Sequence, residues 1–148
     1  MDSKREVSPT IGRIRLVAVH GATERHAGPH SHDMSTSIEV HRRDEGSVRL
    51  VATRTVAIVH MGRRFDGTAS AEAIVRNGVG VRLTKRDMLS MAGGPLSLIS
   101  LVLAQLIQAS LGRPVVTEPF VARADQLAVD DGILEDKDAS DKAGALAD

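Results

Sequence analysis

The chain predicts an α+β fold, an antiparallel sheet of about five strands packed on one long apolar helix at about residues 95–111. Three observations lead there. Short runs of β-branched and aliphatic residues alternate with polar ones between residues 10 and 84, with turn residues between them. One run, "GGPLSLISLVLAQLIQASLGRP", has helical length and no charged residue between Asp87 and Arg113. Both ends of the chain are poor in bulky apolar residues and rich in charge.

At 148 residues the chain fits a single core. With Phe65 and Phe120 as its only large aromatic rings, that core must be built from Val, Ile, Leu, Ala and Met. The expected division is a disordered stretch at 1–9, one α+β domain at 10–125, and a disordered acidic tail at 126–148. From Asp130 to Asp148 there are seven acidic and two basic residues, a net of −5 that leaves +5 for the rest of a formally neutral chain.

The first strand is expected in "TIGRIRLVAV", where Ile11, Arg13, Arg15 and Val17 alternate with Gly12, Ile14, Leu16 and Ala18. A polar loop, "HGATERHAGPHSHD", follows at 20–33, broken by Gly21, Gly28 and Pro29. "TSIEVHR" and "SVRLVATRTVAIVHM" then read as a hairpin around "RDEG", in which Asp44 and Gly46 supply turn chemistry. In "AEAIVRNGVGVRLT" the pair Asn77-Gly78 suits a two-residue turn, opposing Ile74 to Val81 and Glu72 to Leu83. A short helix over "TASAEAIVR", favoured by its alanines, is the competing reading.

Gly94 and Pro95 fit the start of the apolar helix and Gly112 its end, since proline is pre-set for a first helical position and glycine for the residue after the last. The polar residues Ser97, Ser100 and Gln108 fall on one narrow stripe, so most of the circumference must be covered. A sheet can cover one side and a second copy the other, which predicts a homo-oligomer. A membrane is the weaker cover, because 95–111 is at the short limit for spanning and carries Gln105 and Gln108. Beyond the helix, "PVVTEPFVAR" can supply a last short strand limited by Pro119 to an edge.

The chemical groups are few. Without cysteine there is no disulfide, thiolate ligand or thiol nucleophile. No G-x-S-x-G elbow, Walker A loop or dinucleotide fingerprint occurs. Four of the six histidines, His20, His26, His30 and His32, crowd into the 20–33 loop. The His30-x-His32 pair puts two imidazoles on one side of an extended backbone, with His20, His26, Asp33, His41 or His60 as a third ligand. The paired bases Arg42-Arg43, Arg63-Arg64 and Lys85-Arg86 could meet phosphates, but the chain lacks rings for stacking on bases.

The reading is a non-enzymatic interaction or assembly module with no catalytic signature and no required cofactor, self-associating through the apolar helix or a sheet edge. Its alternative is a metal-binding protein, or small metal-dependent enzyme, holding zinc or another divalent transition metal at His20, His26, His30 and His32. Nucleic acid ranks as a weak partner. The charged first nine residues lack the apolar run of a secretory signal, so the expected location is the cytoplasm.

Overall fold

The computed structural model describes residues 10–44, 46–76, 83–112, 122–130 and 133. Four long strands, β1 (Thr10–Arg25), β2 (Ser31–Asp44), β3 (Ser47–His60) and β4 (Arg63–Arg76), precede one helix, α1 (Lys85–Leu111). A single 3₁₀ turn (Ala124–Gln126) leads into a short strand, β5 (Leu127–Val129). The five strands form one sheet in the order β1-β4-β3-β2-β5. All long pairs are antiparallel, but β5 runs parallel to β2, so the sheet is mixed where a purely antiparallel one was expected.

Strands β2, β3 and β4 form a meander held by two tight turns. In the first, Asp44 Oδ1 accepts from Gly46 N at 2.9 Å and from Ser47 Oγ at 2.8 Å, the turn chemistry read from "RDEG". These donors, Ser47 foremost, hold the Asp44 carboxyl below its ordinary pKa. The second is the two-residue connection Met61-Gly62, closed by the pair His60↔Arg63, with both residues at positive φ (49° and 76°). That conformation suits the strand twist, yet a methionine in it gives no turn signal in the sequence.

Beyond that turn, "TASAEAIVR" is strand and not helix. Both edges of β4 are already paired, to β3 and to β1, which leaves no edge for the expected pairings of Ile74 with Val81 and Glu72 with Leu83. The Asn77-Gly78 turn itself lies outside the described residues. Alanine is a poor strand former, but Ala69, Ala71 and Ala73 face α1, where small side chains let the helix approach the sheet.

α1 starts ten residues earlier than its glycine-proline signal. Thr84 is the N-cap: its Oγ1 accepts from Asp87 N at 3.1 Å, and Thr84 N donates to Asp87 Oδ2 at 3.2 Å. Pro95 sits inside the helix, and Gly112 closes it in the left-handed conformation at φ 75°. Met88, Ala92, Leu96, Ile99, Leu103 and Ile107 form its buried row, spaced by three and four. They pack on Val48, Leu50, Ala52, Val56 and Ile58 of β3, on Phe65 and the alanines of β4, and on Ile38 and Val40 of β2. By length and composition α1 could cross a membrane, but its buried row already belongs to the sheet.

Two expectations at the ends of elements are revised. The histidine-bearing segment is a loop only from His26 to His30, since β1 continues through Arg25 and β2 begins at Ser31, where pairing with β4 and β3 overrides the loop-like composition. The folded part also extends past residue 125: β5 lies inside the segment read as tail, and Ile133 is fully buried, its carbonyl accepting from Leu83 N at 2.9 Å.

Candidate interaction surface

Three of the sheet's strands are paired on both sides; β1 is not. Its inner edge pairs with β4 over the full strand, and among the described residues no strand pairs with its outer edge. Sixteen residues of edge strand present a row of unpaired peptide groups, the arrangement to which another strand adds most readily.

The side chains along that edge are sorted by two register shifts, one between Ile11 and Arg13 and the other between Leu16 and Ala18. Strict alternation would put Ile11 and Ile14 on opposite faces. The shifts bring Ile11, Ile14, Leu16 and Val19 opposite Val75, Ala73, Ala71 and Ala69, all on the helix side of β4. α1 covers this row only partly. A Cβ built on Gly94 would lie 2.6 Å from Ile14 Cδ1, so helix and strand touch there, yet the four side chains remain 39–43% exposed.

The outer face of α1 continues the surface without charge. Ser90, Gly93, Ser97, Leu101, Gln105 and Gln108 point away from the sheet, with Leu101 58% exposed. Ser100 departs from the polar stripe read from the sequence: it turns inward, and its Oγ accepts from Arg54 Nη1 at 2.8 Å. Burial pulls the Arg54 guanidinium below its ordinary pKa.

On the opposite face of the sheet, Glu72 of β4 is buried between two arginines. Its carboxylate takes the Nε–H of Arg15 on β1 at 2.5 Å and that of Arg49 on β3, joining three strands. These hydrogen bonds, Arg49 first, hold the Glu72 carboxyl below its ordinary pKa. Thr53 and Ser70 share a hydroxyl hydrogen bond at 2.8 Å beside it. This face is largely polar, so the exposed apolar side chains gather in the β1 row and on the outside of α1, with Val17 of β1 and Met61 of the β3–β4 turn as the other large ones among the described residues.

The four clustered histidines do not converge. His20 lies on β1 opposite Thr68, on the polar face, whereas His32 lies on β2 opposite Ile58, on the helix side. Two strands separate β1 from β2, a distance of about 14 Å at ordinary strand spacing. His26 is tied by its backbone N–H to Gly62 O at 2.9 Å. His30 instead meets the ring of His60, centroids 4.8 Å apart and the planes tilted by 45°, and its Nε2 accepts from Met61 N at 3.4 Å. No group of three or more His, Asp or Glu that could hold a metal ion forms among the described residues, which include all six histidines. Of the paired bases, Arg63 donates to Ser110 O at 3.1 Å, Arg64 to Asp66 at 2.9 Å, and Arg43 lies 3.8 Å from Asp44.

No family model matches the chain, and no curated protein matches it. Solved structures do. The SecB-like chaperone Rv1957 of Mycobacterium tuberculosis, in complex with a ChAD peptide from the Rv1956 HigA1 antitoxin, aligns over 77% of this chain and 91% of its own, with 15% identity and a TM-score of 0.54. The two share a fold. A protein of unknown function from Streptococcus agalactiae aligns over 76% of this chain and 97% of its own, with 14% identity and a TM-score of 0.44.

Proposed function

We propose that this chain is a non-enzymatic module that holds extended, apolar polypeptide segments along the outer edge of β1, and that it works as a homo-oligomer in the cytoplasm. One observation carries the reading: a long strand with no partner on its outer edge among the described residues, whose register shifts collect Ile11, Ile14, Leu16 and Val19 on one half-covered face. An added strand would gain main-chain hydrogen bonds from the edge and bury its own alternate apolar side chains against that row. Burying such a row contributes about 25 cal/mol per Å² of apolar surface. Backbone pairing of this kind reads extended conformation and hydrophobicity rather than a particular sequence.

The second copy fits the outside of α1. Gly93 and Ser97 are small, and no charge interrupts the helix between Asp87 and Arg113, so two such helices can approach closely without burying an ion. A peptide complex in the SecB-like neighbour supports the polypeptide reading by analogy of fold.

The test uses the full chain, a labelled and permanently unfolded protein such as reduced, carboxymethylated α-lactalbumin, and light scattering for oligomer size. Leu16→Glu/Val19→Glu should lose capture of the unfolded protein by at least about tenfold, because charges in the row must be desolvated. Leu101→Glu should reduce the particle mass. Capture unchanged in the β1 variant would overturn the reading.

A further inference from the structure

β5 is a small strand with an unusual position. Leu127, Ala128 and Val129 lie parallel to Ile38, Glu39 and Val40 of β2, and among the described residues they occupy three positions of a fourteen-residue strand edge. Leu127 and Val129 pack on the core above Ile38 and Val40, which are fully buried, while Ala128 points to solvent. The next residue makes the polar contacts. Asp130 N donates to Val40 O at 2.9 Å, and Asp130 Oδ2 accepts from Arg42 N at 3.2 Å. Asp130 Oδ1 lies 3.3 Å from His41 Nδ1, and the other ring nitrogen of His41 lies 3.3 Å from Glu39 Oε1.

On the β2 side these contacts are a strand edge, two apolar seats, one backbone N–H and one imidazole. None of them depends on the segment being part of the same chain. They read an extended run of apolar, any, apolar, aspartate, entering parallel to β2. We propose that the outer edge of β2 is a second peptide-binding site for segments of this pattern, and that Leu127–Asp130 fills it in cis as a built-in pseudo-ligand. The cis segment pairs with β2 over three residues only, and its two seated side chains, Leu127 and Val129, are partly buried, its firmer anchor being Ile133 beyond the seats. A longer segment in trans takes the same seats and continues the pairing toward Ser31, adding main-chain hydrogen bonds that β5 does not make. The proposal rests on the reading of the chain as a polypeptide-binding module, but places this site two strands and a full sheet width away from β1.

The probe is a fluorescent peptide with the sequence of residues 122–133, ARADQLAVDDGI, added to the full chain. Leu127→Ser/Val129→Ser in the protein weakens the cis occupant and leaves β2 intact, and Asp130→Ala is the milder second variant. Both should bind the peptide more tightly than the unaltered chain, the double variant by about tenfold, since the cis segment no longer competes. Amides of Ile38 to Val40 should exchange faster in the variants and slow again on peptide addition. The peptide carrying serine at its leucine and valine should not bind. Equal binding by all three proteins, or binding that leaves the Ile38 to Val40 amides unprotected, would overturn the proposal. Leu16→Glu/Val19→Glu separates the two readings: it should abolish capture at β1 and leave this peptide's affinity as it is.

Discussion

Arg54 and Ser100 tie the middle of the sheet to the middle of the helix, the guanidinium Nη1 donating to the hydroxyl oxygen at 2.8 Å within an apolar layer. A buried cation that loses an acceptor keeps its desolvation cost. Ser100→Ala should therefore cost about 1–2 kcal/mol despite removing only one oxygen. Urea unfolding of the two proteins checks this, and an unchanged midpoint would show that the contact is not used.

Glu72 gives the clearest pH dependence. Its carboxyl titrates below the ordinary 4.5 in the folded state because Arg49 and Arg15 bond its charged form. The stabilisation is therefore complete above the unfolded value and is lost as pH falls through the depressed one. Glu72→Gln should cost about 1–3 kcal/mol at pH 7, and the gap between the two proteins should close only as the pH drops well below 4.5. A gap that is constant down to pH 2 would count against the charged contacts.

Two glycines separate a hard contact from a soft one. A Cβ on Gly67 would lie 2.6 Å from Cε1 of Phe65, whose ring is fully buried and has nowhere to move. Gly67→Ala should destabilise by about 1–3 kcal/mol through overpacking. Gly94 meets Ile14 at the same 2.6 Å, but that side chain is 40% exposed and can swing outward. Gly94→Ala should be near neutral, with about 0.8–1 kcal/mol of helix propensity offsetting the push. Thermal melts of both variants would settle the ranking.

Thr84 sets where the helix begins. Removing its hydroxyl frees the Asp87 N–H, and Thr84→Ala should cost about 1 kcal/mol. Thr84→Ser should restore most of it, with circular dichroism on heating as the measurement. A Ser variant no better than Ala would mean that the hydroxyl is not the cap.

Much of this fold is legible in the residues themselves. The alternation of "SVRLVATRTVAIVH" marks β3, the Asp44-Gly46 turn places its hairpin with β2, and the uncharged run to Gly112 marks the helix. What misleads is local chemistry overruled by distant partners. The alanines of β4 favour a helix until two neighbouring strands claim both of its edges. The T-x-x-D capping box at Thr84 and Asp87 was present in the sequence, but Gly93-Gly94-Pro95 offers a louder start signal further on. The candidate surface was legible only in part. A half-covered apolar edge needs the strand order and the two register shifts, and neither is written in β1 alone. The histidines crowd together along the chain and part in space, because β1 and β2 follow one another in sequence but flank two other strands.

That strand order also sets the timing of folding during synthesis. β1 is made before β2, β3 and β4, yet its partner is β4, with Arg25 facing Arg63 and Thr10 facing Arg76. The meander can zip up through its short turns as it leaves the ribosome, while β1 waits for the last of the long strands. The earliest strand is thus the latest to be sheltered, and for the length of that wait its isoleucine, leucine and valine side chains are open to any nascent chain alongside, including another translated from the same message.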